Sequence, residues 1–159
     1  MLRFTTCQAQ IAEPFCEMLA EFMSLRLGIS TEFVCDIPWQ ERERLLDRGE
    51  IAVGWICGLP YVRKRNDGTA NLELLSAPIM KHPRYAERPV YYSDIVVHAD
   101  SHFRSFDDLR GATWAYNEPG SHSGYNLIRY HLATRGIRDS YFSRVVESGS
   151  HQDSFEMIL

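Results

Sequence analysis

Seven residues between a predicted strand and a predicted helix, Glu118 to Gly124 (EPGSHSG), hold the densest chemistry in this sequence. Pro119 and Gly120 shape a tight turn. Ser121 is a favoured helix N-cap, and Ser123 falls in the first turn. The N–H groups of a first helical turn have no partners inside the helix, and the helix dipole adds partial positive charge there. With two hydroxyl donors beside them, these groups make an anion site. The plain alternative is an N-cap that holds no ligand. Neither GxxxxGK(S/T) nor GxGxxG occurs. The residue midway between Gly120 and Gly124 is His122, so the segment is not the GxSxG elbow of a hydrolase either.

Two other clusters carry candidate chemistry. His98, Asp100 and His102 alternate and could place three ligands on one side of an extended segment. Their polar surroundings read as an exposed strand end with no further ligand nearby, so no metal is expected. His151 follows Gly149 and Ser150 at the carboxyl end of a predicted strand, where open α/β sheets bind ligands. The plain reading there is a surface His at a helix start. Cys7, Cys16, Cys35 and Cys57 form no CxxC pair and no zinc spacing. Three lie in apolar, strand-like runs, so reduced and mostly buried thiols are expected.

These residues need elements to position them, and the pattern supplies an alternating order. Leu2 to Cys7 is a short strand candidate. Ile11, Phe15, Met18, Leu19, Phe22 and Met23 recur at helical spacing up to Gly28. Ile29 to Ile37 is a second strand, and Pro38 opens a helix that runs to about Arg48. Ile51 to Cys57 is a near-continuous apolar run, as for a strand covered on both faces. This β-α-β-α-β order implies a parallel sheet. Asn66, Asp67 and Gly68 mark a turn. Leu72 to Met80 and Tyr91 to His98 read as strands, Ser105 to Arg110 as a helical turn and Ala112 to Asn117 as a strand. Ser121 to Arg135 is a helix, Phe142 to Glu147 a strand, and His151 to Leu159 the start of another helix. A second α/β unit is expected from about Ala99, giving lobes at residues 1–98 and 99–159. The last helix has no following strand, so the second lobe reads as incomplete.

Composition narrows the class further. The 159 residues suit one ordinary domain or two small lobes. A net charge of −4 argues against a broad nucleic-acid face. No segment approaches the roughly 20 apolar residues of a membrane span, so no membrane insertion is expected. Met1 to Gln8 shows no basic region followed by an apolar one, so no signal peptide is visible.

In combination, Tyr91–Asp100 (YYSDIVVHAD), Arg104–Gly111 (RSFDDLRG), Trp114–Tyr125 (WAYNEPGSHSGY) and Val145–Ser154 (VVESGSHQDS) resemble the phosphonate, phosphite and phosphate substrate-binding proteins of ABC transporters. Gly49 to Val62 (GEIAVGWICGLPYV) extends the likeness more loosely into the first half. The resemblance implies a type II periplasmic-binding fold of two α/β lobes with mainly parallel sheets, closing over a small oxyanion. It implies a non-enzymatic protein with no cofactor, a permease partner and a periplasmic or lipid-anchored extracytoplasmic site. It places the phosphonate group on Ser121, His122 and Ser123; many members carry Thr where His122 stands. Tyr91 or Tyr92 corresponds to an aromatic before the hinge strand, His151 to the His of the GSH segment, and Trp39 to an aromatic of the first lobe. The chain is short for this family and reads as truncated at its C-terminus. Two other functions compete: a ligand-sensing domain of a signalling protein, and an enzyme on the same fold. The enzyme needs a base in reach of a nucleophile. His122 beside Ser121 and Ser123 is the local candidate, but adjacent helix positions do not face each other.

Overall fold

Leu2–Thr6 forms strand β1 and becomes the centre of the first sheet. It runs parallel to β2 (Thr31–Val34) on one side and β3 (Val53–Trp55) on the other, with Phe4 opposite both Phe33 and Val53. A central strand is covered by neighbours on both edges and by side chains on its faces, and Phe4, Thr5 and Thr6 are fully buried. The Thr5 hydroxyl donates to the Val34 carbonyl at 2.6 Å, so its burial leaves no polar atom unpaired. The computed structural model describes residues 1–137 and 140–159.

The run from Ile51 to Cys57, expected as the doubly covered strand, is corrected here. Only Val53–Trp55 pairs, at the sheet edge, and these residues are half-buried. The run's apolar character serves packing instead: Ile51 joins Val34 and Leu46 in the core cluster, with Ile37, Leu45, Ile56 and Leu72 around it. Leu46 comes from helix α2 (Trp39–Asp47), which starts directly after Pro38. This helix lies so close to β3 that a Cβ on Gly54 would stand 2.7 Å from a Leu46 methyl.

Helix α1 (Glu13–Leu27) starts with Pro14 in its first turn and stops at Gly28, whose φ of 67° favours glycine. Its expected apolar stripe is reversed. Cys16 and Ala20 are the buried residues, while Ile11, Phe15, Met18 and Phe22 are exposed. Small side chains let the helix approach the sheet closely, and Thr31 donates to the Ala20 carbonyl at 3.3 Å. Arg42 of α2 is buried against α1 by an ion pair to Glu13 at 2.8 Å. Helix α3 (Gly58–Asp67), which the sequence reading marked only by its closing turn, ends at Gly68 with φ 65°.

The chain divides into two compact units, Met1–Leu74 and Leu75–Leu159. Residues 75–98, expected in the first lobe, thus fall in the second unit. Two expected strands are also corrected. Leu72 to Met80 and Tyr91 to His98 have no ladder among the described residues, and Leu74, Leu75, Ile79, Ile95 and Val96 are exposed. β-propensity alone does not make a strand; a neighbour must accept the backbone bonds.

The second unit is built on two parallel strands, β4 (Thr113–Tyr116) and β5 (Arg144–Glu147), in register from Thr113–Arg144 to Tyr116–Glu147. A short helical turn, Asp107–Leu109, precedes β4 and ends at Gly111. Aromatic rings supply much of the packing: Phe106 stacks on Tyr141 at 5.0 Å, and Trp114 on Tyr125 at 5.5 Å. Tyr141 is buried and its hydroxyl donates to the Phe106 carbonyl. Helix α4 (Leu127–Thr134) follows β4, and α5 (His151–Glu156) follows β5. Parallel strands with intervening helices in both units make this an α/β protein, consistent with a periplasmic-binding-like architecture.

Candidate functional site

Parallel pairing sends β4 and β5 out of the sheet at the same edge, and their next residues are stitched together. The Ser148 N–H donates to the Tyr116 carbonyl at 2.8 Å, and the Gly149 N–H to that of Asn117 at 2.9 Å. Each segment then enters a helix through a serine cap. The Ser121 Oγ accepts the Gly124 N–H at 3.1 Å, and the Ser150 Oγ accepts the Asp153 N–H at 3.0 Å. The fold therefore brings Ser121, His122, Ser123 and the His151 segment to one sheet edge, as expected for loops that follow neighbouring parallel strands.

The helix start is not regular, which corrects the expectation of a plain helix from Ser121. Residues His122–Asn126 form a wider π turn. The Asn126 N–H reaches the Ser121 carbonyl at 3.0 Å, and its side-chain amide bonds the same oxygen at 2.8 Å and that of Pro119 at 3.2 Å. The N–H groups of His122 and Ser123 come before the first helical bond and have no acceptor within the helix. Wide turns of this kind recur at functional sites. The Ser121 hydroxyl accepts but keeps its proton to donate. The Ser123 hydroxyl makes no hydrogen bond among the described residues. Within the turn, the Glu118 carboxylate accepts the Gly120 N–H at 2.7 Å.

Beneath this turn lies a residue that sequence reasoning missed. Asn117 Oδ1 occupies the space beside Gly124: a Cβ there would stand 2.0 Å from it. Asn117 Oδ1 and His122 Nδ1 are both buried without a hydrogen-bond partner among the described residues. The sequence does show Asn117 as the last residue of the strand reading, but nothing in its spacing says which way the amide turns.

The two tyrosines separate. Tyr91 meets the His122 ring edge-on, with centroids 6.4 Å apart, and Ser93 donates to the Ser123 carbonyl at 2.9 Å. Tyr92 turns the other way, its hydroxyl donating to the Arg84 carbonyl at 3.1 Å. Alternation along an extended chain accounts for the split, and it identifies Ser93 as a second missed contact. Tyr116, at the same sheet edge, donates to Glu147 at 3.4 Å; burial, then this carboxylate, push its phenol above the usual range.

Trp39 belongs to the first unit. It is the first residue of α2, half-buried, and its carbonyl accepts the Cys7 thiol at 3.9 Å. Burial pushes that thiol up to about 12. No disulfide joins the four cysteines, but the expectation that they are mostly buried is corrected: Cys16 is buried and Cys35 is exposed. Of the metal candidates, His98 Nδ1 accepts the Asp100 N–H at 3.1 Å and His102 packs on Phe103. Among the described residues no three His, Cys, Asp or Glu side chains converge as a metal would require. Among them, too, no helix is long and apolar enough to cross a membrane.

The geometry is that of a cluster of donors at a parallel sheet edge. It can hold an anion by N–H and O–H groups without a compensating cation. A family model described as ABC transporter, phosphonate, periplasmic substrate-binding protein matches residues 7–159. No curated protein matches at a significant level.

Proposed function

The chain belongs to the phosphonate family of periplasmic substrate-binding proteins of ABC transporters, and on that premise we propose that it captures a small phosphorus oxyanion for uptake. The ligand class is phosphonate, phosphite or phosphate, and binding proceeds without chemical turnover. The protein works outside the cytoplasmic membrane and hands its ligand to a permease. Ser121, His122 and Ser123 hold the anion, with Tyr91 and His151 beside it.

One observation carries this reading. The N–H groups of His122 and Ser123, without an acceptor among the described residues, open a helix at the carboxyl edge of β4 and β5, flanked by two serine hydroxyls. Hydrogen bonds to a charged group contribute about 1.5–3 kcal/mol each, so a few of them suffice for tight capture. Neutral donors also suit a ligand that must be released. They bind an anion without fixing it in an ion pair.

The test is a thermal-shift series with phosphate, phosphite, sulfate and several phosphonates, against chloride at equal ionic strength. A ligand present at about 100 times its Kd adds about 2.7 kcal/mol of stability. The expected result is a raised Tm with at least one phosphorus anion. No shift with any of them overturns the reading.

A further inference from the structure

We propose that Arg84 is a positioning residue: by gripping Asp94 and Tyr92 it fixes residues 91–94 so that Tyr91 and Ser93 pack against the Ser121–Gly124 turn. The inference rests on the reading of that turn as the anion cradle.

Residues 91–94 have no strand ladder among the described residues, and side chains grip them. They do so on alternate sides. On one side Ser93 donates to the Ser123 carbonyl at 2.9 Å and Tyr91 meets His122 edge-on. On the other, Arg84 makes two parallel bonds to Asp94, at 3.0 and 2.9 Å. Its guanidinium also lies 4.3 Å from the centre of the Tyr92 ring. The Tyr92 hydroxyl closes the arrangement on the Arg84 carbonyl at 3.1 Å, and Tyr85 packs on the same ring at 5.5 Å. An isolated exposed ion pair would contribute little. Here the fork is bidentate and stacked, a geometry that specifies orientation and that lysine cannot reproduce.

The turn that presents Arg84 is itself over-determined. His82 Nδ1 accepts the Arg84 N–H at 3.2 Å, and the short helical turn Pro83–Tyr85 leads into Ala86 and Glu87, at φ 48° and 54°. Two successive non-glycine residues in the left-handed region persist only where their surroundings hold them. The grip of Arg84 on the 91–94 segment is such a restraint. A rigid turn on one side thus sets the position of two residues that touch the anion turn on the other.

The experiment uses the full chain, with methylphosphonate, phosphite and phosphate as probes. Calorimetric titration and backbone amide NMR are recorded for the parent, Arg84→Gln, Arg84→Lys, Tyr91→Ala and the Arg84→Gln/Tyr91→Ala pair. Arg84→Gln should weaken binding roughly fivefold to twentyfold, the size of a coupling between residues sharing partners. Arg84→Lys should fail to restore affinity. The double variant should fall short of the product of the two single effects, because Tyr91 is one of the two contacts that Arg84 positions. In ligand-free protein, Arg84→Gln should shift the amide signals of His122 and Ser123 and leave those of Phe4 and Thr5 in place. Affinity of a folded Arg84→Gln within twofold of the parent, full rescue by lysine, or additive effects in the double variant overturn the proposal. If the parent binds none of the three probes, the anion reading fails. The amide shifts then decide the positioning role: movement at His122 and Ser123 upholds it, and unchanged signals overturn it.

Discussion

In the first unit, three parallel strands bury Phe4, Thr5 and Thr6 in a central strand and gather Val34, Leu46 and Ile51 beside it. In the second, two strands carry a stack of aromatic rings, and side chains on alternate sides grip the segment from Tyr91 to Asp94. The first unit buries its core cluster while the apolar stripe of α1 stays exposed. Both units hold buried polar atoms without a hydrogen-bond partner among the described residues, Arg42 Nε and Asp47 Oδ1 in the first and Ser101 Oγ, Asn117 Oδ1 and His122 Nδ1 in the second. An unpaired buried group costs stability, about 1–3 kcal/mol in mutational terms. What separates the two units is position: Asn117 Oδ1 and His122 Nδ1 lie at the serine-capped turn where the anion is proposed to sit.

The largest expected effect is Phe4→Ala, which should destabilise the protein by about 3–5 kcal/mol in a denaturant titration. Tyr91→Ala should cost less than about 1 kcal/mol of stability, since Tyr91 is 49% exposed, but it should weaken anion binding. If the two substitutions trade places, so that Phe4→Ala is mild and Tyr91→Ala unfolds the chain, the contrast between the regions breaks.

Gly124→Ala comes next. In an ordinary helix this change stabilises. Here the new methyl meets Asn117 Oδ1, and overpacking should cost about 1–3 kcal/mol while opening the turn. In an Asn117→Ala background the space is free, so most of the cost should vanish. A cost unchanged by Asn117→Ala would show that the strain lies elsewhere.

The smallest effect at neutral pH concerns the thiols. Cys35 should react with a thiol reagent well before Cys7, which is half-buried and whose thiol is pushed up to about 12 by burial. Because the folded state holds this proton more tightly, the associated stability is present below pH 9 and is lost as pH rises from 9 towards 12. A pH series of unfolding midpoints should show that decline in the parent and a shallower one in Cys7→Ala. Equal slopes would remove Cys7 as its source.

Much of this was legible in the residues. Pro38 marked the start of α2, Gly28 the end of α1, and Ser121 the cap of the second unit's first helix, because each of these signals is local. What failed depended on neighbours, although the parallel pairing implied by the β-α-β order holds. The apolar run Ile51 to Cys57 suggested a central strand, yet strand order made β1 central and β3 an edge. The stripe Ile11, Phe15, Met18, Phe22 marked a helix correctly, but it was Cys16 and Ala20 that met the sheet. Tyr91 and Tyr92 were equivalent in sequence and separate only once Arg84 and Ser123 are placed on opposite sides of them. Asn117 carried no signal, since its contribution is the direction of one amide.

Everything proposed for this protein turns on capture of a phosphorus oxyanion by the Ser121–Gly124 turn. Its most direct test is calorimetric titration of methylphosphonate into the parent and into Ser121→Ala/Ser123→Ala. Loss of the N-cap costs only about 1 kcal/mol, so the double variant should stay folded, as circular dichroism can verify. Binding should weaken by roughly one to three orders of magnitude, at 1.4 kcal/mol per factor of ten. Equal affinity in a folded double variant would contradict it and place the anion elsewhere.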